Sequence, residues 1–160
     1  MFKKQEISYV EKELKELMSL LDFQLDTMPG IELVTASALI AEIGGIRRFP
    51  NANKLARFAG IAPVYFGSGG KGKEQKSKQG NRALHGLFYN LAVQKVQVAK
   101  GSKLPRNPVF HAYYQRKLKE SKTKGQALVC IMRRIVNIIY DMKKHKTAYE
   151  LPIIKETEVV

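Results

Sequence analysis

The residues most able to do chemistry lie between Tyr65 and Arg82, in "YFGSGGKGKEQKSKQGNR". The stretch carries five glycines, five Lys or Arg residues, one acid and no aliphatic residue. Glycine lets backbone N–H groups approach an anion closely, and it tolerates positive φ. Ser68, Gly69 and Gly70 are therefore candidates for an anion nest, with Lys71, Lys73, Lys76, Lys78 and Arg82 supplying charge. Asn81 and Arg82 open the next expected helix, whose N-terminal dipole also favours a phosphate. Ser68 is the candidate nucleophile of the stretch. A serine hydroxyl is weak unaided, but in phosphoryl transfer the surrounding positive charge can supply much of the stabilisation. Serines in glycine-rich loops are more often structural than catalytic. Residue types alone leave a solvated linker, a phosphate cradle and a nucleophile loop all open.

Several chemistries are excluded. The stretch is not a nucleotide-triphosphate P-loop: no strand precedes a G-x-x-x-x-G-K-[ST] run, and no Ser or Thr follows Lys71 to hold magnesium. His85, one turn into the next helix, is alone, and such a histidine is more often a surface or capping residue. A two-metal nuclease site needs converging carboxylates, and the basic region offers only Glu74. Asp22, Asp26, Glu32 and Glu42 lack the spacing of a carboxylate cluster. There is no Cys/His zinc pattern, so no metal site is expected.

The charge distribution points to a polyanion. The 160 residues carry a net charge of +14. Residues 43–119 hold 16 Lys or Arg against one acid, whereas the rest of the chain holds 12 against 13. A field so concentrated attracts nucleic acid by default. One cysteine, Cys130, excludes an internal disulfide and fits a reducing compartment. It lies in "ALVCIMRRIV" and is expected as a buried thiol. No apolar run approaches the roughly 20 residues of a membrane span, so a soluble, intracellular protein without a membrane partner is expected.

The elements that position these residues read as helices. Ile7, Val10, Leu14, Leu17, Leu21 and Leu25 keep 3-and-4 spacing and predict a helix over residues 6–26. Its seam suits packing on another helix, from this chain or a second one. Pro29 and Gly30 break it, and a second helix is expected over residues 35–43. Helix, hairpin and helix would let the backbone of Pro29, Gly30 and Ile31 face a phosphate. "FPNANKLARFAGIAP" predicts a short helix capped by Asn51 or Asn53 and stopped by Gly60. Further helices are expected over 81–99, 109–119 and 126–144, with "GSKLPRNP" as a linker and the tail extended or frayed. The fold is all-α, with at most a small hairpin near Val64 to Phe66. It has a helix-hairpin-helix-like N-terminal part, a Gly/Lys-rich loop and a closing helical hairpin.

Three blocks together are similar to a known family. "MPGIELVTASALIAEIGGIRRFPNANKLARFAGIAP", "GSGGKGKEQKSKQGNRALHGLFYNLA" and "NPVFHAYYQRKLKESKTKGQALVCIMRRIVNIIY" occur in order. They resemble the C-terminal transposase domain (transposase 20 type) of the insertion-sequence family numbered 110, over about residues 25–150. The resemblance implies a DNA recombinase of bacterial or archaeal cytoplasm, guided by a structured bridge RNA and acting as a homo-oligomer in the full-length protein. It also implies an N-terminal RuvC-like domain that binds magnesium, then a coiled-coil region, then this domain. It maps the family's DNA-linked serine to Ser68. By the same resemblance, residues 1–26 are expected as a coiled-coil remnant, 27–150 as the transposase domain and 151–160 as a tail. The chain departs from the family pattern at Gly67, where a second small hydroxyl residue is frequent, and at His85, where Arg is usual. With the RuvC-like domain missing, the isolated chain is expected to bind nucleic acid without completing recombination, and to need no cofactor of its own. The alternative is a non-catalytic helix-hairpin-helix module for nucleic acid. A helical oligomerisation domain built on the Ile7 to Leu25 seam is a third possibility.

Overall fold

The computed structural model describes residues 2–21, 23–62, 64–68, 71–75 and 80–151; for residues 2, 64–68 and 71–75 it describes the backbone alone. Six α-helices stand among the described residues: α1 (Phe2–Ser19), α2 (Leu33–Ile43), α3 (Ala52–Phe58), α4 (Arg82–Val96), α5 (Pro108–Lys119) and α6 (Lys124–His145). One two-stranded antiparallel ribbon, β1 (Val64–Ser68) with β2 (Lys71–Gln75), interrupts them between α3 and α4. The fold is all-α apart from this ribbon.

Short polar side chains start the helices. The side chains of Asn51, Asn81 and Asn107 each accept from a backbone N–H in the first turn of α3, α4 and α5. Thr123 and Gln126 form a capping box at α6. Pro108 follows Asn107 at the start of α5, where its missing N–H costs nothing.

The long α6 is the spine of the domain and packs against α3, α4 and α5. Its buried stripe includes Ile131, Ile135 and Ile139, and it meets Leu84, Phe88 and Leu91 of α4 in one core cluster. Phe88 and Phe110 are fully buried; burying each such side chain is worth roughly 1.5–3 kcal/mol. Tyr140 donates from its hydroxyl to the Phe49 carbonyl at 3.0 Å, tying α6 to the α2–α3 connection. The segment expected as a linker is folded: Ala99 N–H donates to the Leu104 carbonyl and Arg106 N–H to that of Gln97, both at 2.9 Å.

One expectation fails at the N-terminal end. The first helix stops at Ser19 instead of residue 26, and Leu25 belongs to a separate 3-10 turn, Leu25–Thr27. Leu25 is buried in the domain core, while Ile7, Val10 and Leu17 of α1 are each more than half exposed. The apolar spacing therefore runs across a break between two different surfaces. The tail beyond residue 151 lies outside the described residues.

Candidate active site

The ribbon leaves and re-enters the helical body through a locked neck. Gly80 has φ +126°, and a Cβ there would stand 2.7 Å from the Gly60 nitrogen and 2.9 Å from the Phe58 oxygen. Only glycine fits such a backbone and such an approach. Beside it, the Asn81 N–H donates to the Phe58 carbonyl at 2.7 Å. The Asn81 side chain caps α4 through Oδ1 on the Leu84 N–H at 2.9 Å, and it donates through Nδ2 to Glu42 at 2.5 Å. One asparagine thus joins α2, α3 and α4. His85 adds a further tie, its Nδ1 lying 3.1 Å from the Ala59 carbonyl. That contact requires the proton on Nδ1. Within "KQGNRAL", Gly80, Asn81 and the buried Leu84 therefore do structural work.

The ribbon held by this neck is more regular than the expected loop. Its register pairs Val64 with Gln75, Phe66 with Lys73 and Ser68 with Lys71. Glycine and lysine are poor strand formers, so composition suggests at most a small hairpin near Val64 to Phe66 and conceals its extent to Gln75. Ser68 ends β1 directly opposite Lys71, with Gly69 and Gly70 between them in sequence. Gly69, Gly70, Lys76 and Lys78 lie outside the described residues, and Ser68, Lys71 and Lys73 are described by backbone alone. Arg82 is exposed at the first position of α4, next to the neck.

The Pro29–Ile31 hairpin is at some remove in the fold, seated on the last turn of α4. Lys95 Nζ donates to the Pro29 carbonyl, and burial lowers the Lys95 pKa. Gly30 has φ +87°, and a Cβ there would meet Gln94 Oε1 at 2.7 Å. Pro29 and Gly30 are exposed, while Ile31 is buried and its N–H donates to the Met28 carbonyl at 3.0 Å. That N–H is already engaged. A 3-10 turn, not a long helix, leads into this hairpin.

Sequence reasoning passed over two arginines. Arg133 and Arg134 interrupt the apolar run of α6, and this tandem was the available signal. Arg133 Nη2 donates to Asn53 Oδ1 at the start of α3. The Arg134 guanidinium lies 3.9 Å from the Tyr113 ring centroid. Burial lowers the Arg133 pKa. Cys130, expected to be buried, is partly exposed next to them, because it sits on the flank of α6 and not on the inward stripe. Among the described residues, no three His, Cys, Asp or Glu side chains come together as metal ligands. No described helix is long and apolar enough to cross a membrane.

Comparison with known proteins places this architecture. The profile of the transposase IS116/IS110/IS902 family matches residues 23–115. The insertion element IS110 43.6 kDa protein of Streptomyces coelicolor is 31% identical over 127 residues, which cover 79% of this chain and 29% of that protein. The pilin gene-inverting protein of Moraxella bovis is 31% identical over 128 residues, covering 79% of this chain and 38% of that protein. The insertion element IS900 42 kDa protein of Mycobacterium paratuberculosis is 29% identical over 125 residues, covering 77% of the chain and 29% of that protein. The chain thus spans about a third of the length of these relatives. With the family profile matched over more than half of its residues, the chain belongs to the IS116/IS110/IS902 family of transposases.

Proposed function

We propose that this chain is the serine-bearing part of a DNA strand-transfer site. Ser68 Oγ attacks a DNA phosphorus. A P–Oγ bond forms, and the bond from that phosphorus to an adjoining deoxyribose oxygen breaks. The serine proton ends on the departing oxygen, which becomes a free hydroxyl. One phosphodiester replaces another, so a hydroxyl from a second strand can reverse the step and join new DNA. Lys71, Lys73, Lys76, Lys78 and Arg82 neutralise and hold the phosphate.

The observation that supports this reading best is the place of Ser68, paired with Lys71 at the end of β1 on a ribbon whose root is locked to three helices. A rigid root limits the reorganisation needed when charge develops at the phosphate. The relatives named for inverting a pilin gene fit rearrangement of DNA segments. Magnesium belongs to a RuvC-like domain outside this chain, a structured bridge RNA selects the DNA, and the full-length protein works as a homo-oligomer.

The test is Ser68→Ala in a full-length family protein carrying this domain. Strand transfer and the covalent protein–DNA adduct should disappear, while DNA affinity stays within a few fold. Adducts that persist in the variant contradict the assignment. The non-catalytic alternative, a binding module resting on Pro29, Gly30 and Ile31, predicts no adduct in either protein.

A further inference from the structure

A groove of about 670 Å³ lies between α5 and α6, next to the approach to β1. Its apolar wall includes Ile61, Ala62 and Val129, and its polar groups are Tyr113, Arg133, Arg134 and Asn137. Among the described residues, no carboxylate lines it. Arg133 is oriented by its bond to Asn53, and Arg134 lies over the Tyr113 ring. The groove therefore combines an apolar slot, a guanidinium over an aromatic ring and an amide, with two adjacent positive charges.

We infer that this groove takes unpaired nucleotides of single-stranded DNA, in the strand joined to the phosphate at Ser68. An unpaired base has an apolar face for the slot, polar edges for Asn137 and a phosphate for Arg133 and Arg134. A paired base keeps its faces inside the duplex stack and cannot enter. Base stacking on aromatic and guanidinium planes is the usual device of single-strand recognition. Position identifies the strand. Ala62 lines the groove, and the six residues from there to Ser68 span at most ~20 Å. At ~3.4 Å per stacked nucleotide, that is at most about six nucleotides. The choice of strand rests on the function proposed for Ser68.

Cys130 lines the groove and is the only cysteine in the chain, so its alkylation by N-ethylmaleimide reports directly on occupancy. A short single-stranded DNA, bound to saturation by fluorescence anisotropy, should slow alkylation by at least about fivefold. The same sequence as a duplex should leave the rate unchanged. Val129→Glu places an acid at an exposed groove position; it should weaken single-strand binding by roughly tenfold and remove the protection. Unchanged alkylation at saturating single-stranded DNA overturns the inference. So does protection by duplex, or stronger protection by RNA of the same sequence, which assigns the groove to RNA. Ser68→Ala should leave the protection intact. Loss of the Ser68 assignment and loss of the groove assignment therefore give different results.

Discussion

Gly80→Ala tests the neck on which the ribbon stands. At φ +126° an alanine occupies a region reserved almost wholly for glycine, a strain of about 1–3 kcal/mol. Its Cβ would also lie 2.7 Å from the Gly60 nitrogen and 2.9 Å from the Gly60 Cα and the Phe58 oxygen. All three are backbone atoms, so no side chain can swing away, and overpacking adds about 1–3 kcal/mol. Lower entropy of the unfolded alanine chain returns roughly 0.5–1 kcal/mol. The net expectation is a loss of about 3 kcal/mol, or a fall in Tm of roughly 6–12 °C for a domain of this size. Thermal unfolding followed by circular dichroism measures it. Gly86→Ala is the internal control. Gly86 lies within α4, and nothing stands within 4 Å of its added Cβ. Alanine should therefore stabilise that helix by about 0.5–1 kcal/mol. A Gly80→Ala variant within about 0.5 kcal/mol of the parent protein would refute the locked neck.

Three further predictions follow from particular side chains. Asn81→Asp keeps the cap of α4 but sets a second carboxylate beside Glu42, whose oxygen is 2.5 Å from the Asn81 amide. Repulsion raises a carboxyl pKa in the folded state, so the variant should be near parental stability at pH 4. It should lose about 1–2 kcal/mol as pH rises through that raised pKa, read as the denaturant midpoint at acid and neutral pH. Lys143 is buried with its Nζ 4.1 Å from the Phe23 ring and no hydrogen-bond partner among the described residues. Burial lowers its pKa from 10.5 to about 8. The charge penalty therefore holds in full below about pH 8 and is relieved as pH rises towards 10.5. Lys143→Met should flatten that rise and add about 1 kcal/mol at pH 7 in urea unfolding. Replacing Lys71, Lys73 and Lys76 with Gln should make the salt dependence of DNA affinity shallower by roughly three units of log–log slope, measured by anisotropy across a salt series.

What could be read from the sequence divides along physical lines. Asn51 before an apolar-periodic run and Gly60 after it mark α3 at both ends, because capping is a local hydrogen-bond requirement. The burial of Leu84, Phe88 and Leu91 follows likewise from helical spacing. Strand pairing is legible only in part: a small hairpin near Val64 to Phe66 is expected, but not its extent to Gln75. The ribbon pairs Val64–Ser68 with the Gly- and Lys-rich Lys71–Gln75, a segment that reads singly as loop. The spacing predicts too long a first helix because Leu25 continues the spacing of α1 while belonging to the domain core. The burial of Lys95 and Lys143 was hidden by residue type, since lysine is ordinarily a surface residue. Ser68 was visible as a candidate from composition, and its catalytic assignment came from resemblance. The groove around Arg133, Arg134 and Tyr113 arises only when α5 packs against α6.

The central claim is that Ser68 becomes covalently linked to DNA. The most direct measurement traps the protein–DNA adduct of a full-length family protein carrying this domain, digests protein and DNA, and locates the nucleotide-bearing residue by peptide mass spectrometry. The account predicts a nucleotide phosphate on the peptide containing Ser68, with fragmentation placing it on that serine. A nucleotide on any other residue, or strand transfer with no covalent protein–DNA species, would contradict it.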